Sequence, residues 1–110
     1  MLGRRYRLPV DEFPLRSSPA YRSLLLLAAY QQNNYPYNRL AVRIGKNVFV
    51  RATKRNKLKR FLISRLRALP PKGIDLLIIV NPRAAKAGEI ELDQELRNMY
   101  ARVSRAGTRV

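Results

Sequence analysis

Arg51, Lys54, Arg55, Lys57, Lys59 and Arg60 stand within ten residues of one another, with Asn56 among them. Guanidinium forks and ammonium groups at this density bind phosphates; alone they neither make nor break bonds. The chain has no histidine and no cysteine. The commonest acid–base groups and nucleophiles are therefore missing, as are metal sites built on those ligands. Carboxylate-only Mg²⁺ sites stay open in principle. The acids, however, are few, and they lie outside the basic region. A nuclease working alone is not expected, and no residue is assigned as catalytic or as a metal ligand.

The charge around that cluster has one sign. Against 23 Lys and Arg there are 7 Asp and Glu, a net charge of +16 and a pI near 11.4. No carboxylate occurs between Phe13 and Gly73, a stretch with fourteen Lys or Arg. Self-repulsion on this scale calls for a polyanion, either nucleic acid or an anionic membrane. The longest strongly apolar run, Leu24 to Tyr30, is far short of the roughly 20 residues that span a bilayer. The opening MLGRRYRLPVDEFP lacks the apolar core of a signal peptide. These readings, with the absence of cysteine, point to a cytoplasmic protein.

The elements that must carry the cluster follow from periodicity. At 110 residues the chain fits one domain, with segments 1–8 and 104–110 expected as loose ends. Pro9, Pro14 and Pro19 leave room for only a short, broken helix near Val10 to Arg16. Tyr21 to Gln32 suits a buried strand or a helix, and the turn residues Asn33 to Asn38 end it. Leu40, Val42 and Ile44 alternate as a strand. A turn at Gly45–Asn47 then predicts a third strand at Val48–Val50, a hairpin that favours strand for Leu24 to Tyr30.

Asn56 to Leu69 is the best helix. Leu58, Phe61, Leu62, Leu66 and Leu69 share one stripe, while Asn56, Arg60, Ser64 and Arg67 share the opposite face. Arg65 falls on the apolar side, where its stem can lie along the core with the guanidinium reaching out. Asp75 to Val80 reads as a strand covered on both faces, and Glu89 to Val103 as a final helix. Glu89, Glu91, Asp93 and Glu95 open that helix and arginines follow, an ordering that suits the helix dipole better than a metal site. The sum is an α+β fold, a single mixed sheet with packed helices in the order α-β-β-β-α-β-α.

Basic side chains at the start of a helix gain nothing from its dipole, so a phosphate partner is the natural reason for them. At these residues the sequence resembles a known family. Arg55-Asn56-Lys57-Leu58-Lys59-Arg60 is similar to the RNR motif of bacterial ribonuclease P proteins. Phe49 and Ala52 resemble the approach to that motif, Gly73-Ile74-Asp75 its Gly-x-Asp, and Pro82 and Ala84 its Pro-x-Ala. Arg7-Leu8 and Phe13 match the opening. Lys57 replaces the usual second Arg, Val50 a usual Gly, and Pro14 interrupts the first helix.

The resemblance implies a fold like the second domain of ribosomal protein S-five, with a left-handed strand–helix–strand crossover. It implies an accessory subunit of an endoribonuclease that removes the 5′ leader of precursor tRNA. Chemistry would come from a catalytic RNA holding Mg²⁺, and no protein partner would be required. By position, Arg55, Asn56, Lys57, Lys59 and Arg60 would meet the catalytic RNA, with Lys46, Arg51, Lys54 and Arg67 beside them. Phe13, Tyr21 and Arg43 are candidates for a leader cleft between the first helix and the sheet; both aromatics also suit the core. The competing reading is a general RNA-binding or ribosomal protein. A DNA-binding or membrane-surface role would need base-reading residues or an open apolar face, and the sequence offers neither.

Overall fold

The computed structural model describes residues 3–9, 13 and 20–107. Four strands form one sheet in the order β1-β2-β4-β3. They are β1 (Ala20–Arg22), β2 (Leu26–Gln32), β3 (Arg39–Arg43) and β4 (Ile74–Val80). Helix α1 (Ala52–Arg67) connects β3 to its parallel neighbour β4, and α2 (Glu89–Gly107) closes the chain. The other pairs, β1 with β2 and β2 with β4, are antiparallel, so the sheet is mixed as expected. No helix among the described residues is long and apolar enough to cross a membrane.

β4 is central, which explains its unbroken apolar run: neighbours on both edges and cover on both faces leave little room for polar side chains. On one face Ile74, Leu76, Ile78 and Val80 join Leu26, Ala28, Leu40 and Val42 beneath the helices. α1 contributes Leu62, Ile63 and Leu66, and α2 contributes Leu92, Leu96, Met99 and Val103. Leu96 is 0% exposed, and truncating such a side chain to Ala typically removes about 2–5 kcal/mol of stability. Arg65 lies between the helices, its guanidinium 5.1 Å from the Phe61 ring centre and 3.8 Å from Asp93.

On the opposite face the middle row is small. Ala20, Ala29, Leu77 and Ala41 sit side by side in register, and Leu8 and Phe13 lie against this row. Alanines let that opening segment approach closely. Arg7 bridges Leu40 in parallel, and the Leu8 amide donates to the Leu40 carbonyl at 3.0 Å. Thus Arg7 and Leu8, inside the stretch expected as a loose end, are paired to β3. A 3-10 turn spans Arg4–Tyr6; the helix expected near Val10 to Arg16 lies outside the described residues apart from Phe13.

One strand moves. Val48–Val50 is not the third strand: the Val48 and Phe49 amides donate to the Gly45 carbonyl at 3.1 and 3.4 Å, making a tight turn into α1. A strand there would need an edge of β3, but β4 holds one edge and Arg7 the other. The third strand is instead β1. It joins β2 through a turn in which Ser23 Oγ accepts the Leu25 and Leu26 amides, both at 3.2 Å.

The far end of the sheet is held by polar side chains. Arg39 clasps Asp75 with two hydrogen bonds, 2.8 Å from Nε and 2.6 Å from Nη2. Asn33 donates to the same carboxylate at 2.8 Å. Burial alone would raise the Asp75 pKa; the hydrogen bonds from Arg39 and Asn33, the Arg39 charge and a bond from Gln31 outweigh it and hold the carboxyl below its usual range. Asn38 ties loop to loop, its oxygen accepting the Lys72 and Ile74 amides and its nitrogen donating to Tyr100, which donates to the Pro70 carbonyl.

Candidate RNA-binding surface

α1 begins earlier than its apolar stripe suggests, at Ala52, so the basic cluster occupies its first turns. Arg51 stands at the N-cap with no side-chain cap, and the first turn contains no acid. The helix therefore presents unsatisfied N–H groups and the positive end of its dipole together with cationic side chains. Lys54, Asn56, Lys57 and Arg60 are exposed, and Lys59 is half-buried. Arg55 differs from its neighbours. Its Nη1 donates to the carbonyls of Phe49 and Val50 at 2.9 and 2.7 Å, pinning the turn that leads into the helix. One residue of the motif thus holds the loop in shape.

β3 ends where α1 begins. Arg43, Gly45, Arg55, Asn56 and Lys59 line a recess of about 400 Å³ between them. The structure so brings Arg43, placed by sequence with the cleft, next to the motif residues. Lys46 and Arg51 are exposed in the same turn region, and Lys54 Nζ lies 5.8 Å from the Phe49 ring centre. Arg67 lies at the other end of α1, about 22 Å from Ala52 at 1.5 Å per residue.

The three cleft candidates separate. Arg43 and Phe13 share the face away from the helices, Arg43 exposed and Phe13 8% exposed against Ala29 and Leu77. Tyr21 pairs with Ala28 and so points to the helical face, where its hydroxyl donates to Glu95 at 3.0 Å. Burial, then the hydrogen bond and charge of Glu95, raise its pKa, with Arg102 opposing. Tyr21 ties β1 to α2.

Register supplies residues that the sequence reading missed. Arg22, Leu27, Ile79 and Arg43 form one row across all four strands. The two arginines are exposed at its ends, and the two aliphatics between them are half-covered. At about 4.8 Å per strand the arginines stand some 14 Å apart. An apolar shelf with a cation at each end suits a strand of nucleotides, whose bases stack while phosphates pair. Only Ser23, a turn residue, hinted at the hairpin that brings Arg22 here.

The Gly-x-Asp sequence has a structural explanation. Gly73 has φ 69, and a Cβ there would come within 2.8 Å of the Tyr35 carbonyl, so no other residue fits without strain. Asp75 is committed to Arg39. Of the other carboxylates described, Asp93 accepts from Arg97 at 3.0 Å, and Glu95 serves Tyr21. These donors are on the α2 side or already paired, and do not fit a Mg²⁺ site on the basic surface.

A family profile described as Ribonuclease P matches residues 14–104. The chain is 36% identical over 93 residues to a protein named ribonuclease P protein component from Cyanothece sp., covering 79% of this chain and 71% of that one. It is 32% identical over 83 residues to the like-named protein of Thermotoga maritima, covering 67% and 68%. Among solved structures, the RNase P protein of Thermotoga maritima superposes with a TM-score of 0.74 at 21% identity, covering 90% of this chain and 96% of that one. A Staphylococcus aureus RNase P protein mutant gives 0.77 at 16% identity, covering 88% and 86%. These two likenesses bear on the fold. With the profile spanning most of the sequence, the chain belongs to the ribonuclease P protein component family.

Proposed function

We propose that the protein binds the catalytic RNA of ribonuclease P through the N-terminal half of α1 and the 5′ leader of precursor tRNA along the Arg22–Arg43 row. The observation that carries this reading is the meeting of Arg43, Arg55, Asn56 and Lys59 at one recess, on a stretch of chain without carboxylates. Lys46, Arg51, Lys54, Lys57, Arg60 and Arg67 extend the phosphate-binding surface around it and along the helix. Their role is to neutralise and position RNA; bond cleavage belongs to the RNA partner. Mg²⁺ held by that RNA supplies the hydrolytic chemistry; among the described carboxylates, Asp75 is committed to Arg39 and the others stand on α2. Phe13 supports the leader shelf from the neighbouring row. The protein works in the cytoplasm and needs no further protein.

The test is precursor-tRNA cleavage by the cognate ribonuclease P RNA at low Mg²⁺, with and without the protein. Restored processing at the mature 5′ end is expected, weakened by Arg60→Ala without loss of cooperative melting. RNA binding without any stimulation of cleavage would instead favour a general RNA-binding role.

A further inference from the structure

At the opposite end of α1 lies an aromatic cluster that the proposed contacts leave unused. Tyr35 and Tyr37 stack with ring centres 5.0 Å apart at 19°, and Tyr6 meets Tyr37 edge-on at 5.2 Å. The Arg39 guanidinium lies 5.0 Å from the Tyr35 ring centre, and that of Arg5 lies 5.8 Å from Tyr37. Such contacts stabilise each other, but burial is incomplete: Tyr35 is 44% exposed and Tyr6 37%.

The loop beneath the rings is rigidly built. The Tyr35 amide donates to Asn33 Oδ1 at 2.8 Å, and Asn33 Nδ2 donates to Asp75 and to the Tyr37 carbonyl. Arg39 is fixed by its two bonds to Asp75. Hydrogen bonds therefore shape this loop, and half-exposed rings ride on it, arranged before any partner arrives.

Charge indicates the partner. No carboxylate lies between Phe13 and Gly73. Asp75, beside the cluster, is 1% exposed and neutralised by Arg39. A recess of about 460 Å³, lined by Tyr6, Tyr37, Leu66 and Arg67 among others, joins the cluster to the end of α1. Through this recess Tyr6 and Tyr37 reach Arg67, which ends the helix face that also bears Asn56 and Arg60. The leader shelf, by contrast, is separated from them by the row that Leu8 and Phe13 cover.

We infer that the Tyr6–Tyr37–Tyr35 cluster is a second RNA contact, taking an unpaired base of the same catalytic RNA that lies along α1. This rests on the RNA-binding reading of α1. Aromatic rings receive any base by its π-face, and the nearby arginines strengthen the stack and meet phosphate.

Equilibrium binding of the cognate ribonuclease P RNA tests it, with the full chain carrying Tyr35→Ala, Tyr35→Phe, Tyr35→Leu or Arg60→Ala. Tyr35→Ala should weaken binding about tenfold with an unchanged salt slope, and Tyr35→Phe should restore it. Chemical probing of the RNA should show an unpaired base protected by the wild-type chain and reactive with Tyr35→Ala. Should Tyr35→Ala melt early, Tyr35→Leu against Tyr35→Phe decides: equal affinity would overturn the stacking contact. Wild-type affinity in Tyr35→Ala with loss in Arg60→Ala would sink this contact while leaving α1 as the interface. Wild-type affinity in both would remove the reading of α1 as well. A loss seen only with precursor tRNA, growing with leader length, would assign the rings to the leader and overturn the proposal.

Discussion

The two helices lie on the same face of the sheet and both bury an aliphatic stripe there, yet they begin in opposite ways. α2 opens with Glu89 and Glu91, with basic residues following, which complements its dipole. α1 opens on Arg51 without a side-chain cap, with no acid and several cations in its first turns. Its last turn, with Arg65 and Arg67, is conventional. Local stability rules are thus kept wherever a helix serves the fold and broken at one place. The break coincides with the recess shared by β3 and α1, where the proposed RNA contact would supply the missing negative charge.

The contrast can be broken most decisively with salt. If α1 and its surroundings neutralise 6–10 phosphates, affinity for RNA should fall by roughly 10³–10⁵ between about 50 and 200 mM monovalent salt. A flat response in a filter-binding titration would end the electrostatic account of α1.

Next in size is the carboxylate that holds the far end of the sheet. Asp75→Asn leaves Arg39 without its charged partner, and urea unfolding should show a loss of about 3 kcal/mol. Because the native pKa of Asp75 is lowered, its contribution is complete above the usual carboxylate value of about 4 and is lost as pH falls through the native value. Wild type should shed this stability in acid below that value, and the variant should lack that part of the pH dependence.

Smaller effects sharpen the comparison from each side. Ala52→Glu places an acid in the first turn of α1, where it should raise stability by about 0.3–1 kcal/mol while weakening RNA binding severalfold. If urea midpoints and RNA affinity rose together, the helix start would not be the interface. Glu91→Gln in α2 should do the reverse in miniature, lowering stability by about 0.3 kcal/mol with RNA affinity unchanged.

Much of this design was legible before any coordinates. The helical spacing of Leu58, Leu62 and Leu66, the doubly buried run ending at Val80 and the acid-first final helix each report local chemistry that a linear pattern records. Arg55, read as an RNA contact, also anchors the turn before α1, a task visible only once its guanidinium meets two carbonyls. Val48–Val50 has strand composition but lies in a turn, because both edges of β3 were already taken.

Composition and periodicity alone determined that the chain is a cationic α+β protein with a dense cluster of basic residues at the start of an amphipathic helix. Those properties belong to residue types and to separations of three or four positions. Which cations share a site was decided only by tertiary structure. Arg22 and Arg43 share one row across four strands, and Tyr21 turns away from Phe13, because strand register sets the face of every side chain, and a shift of one residue reverses it.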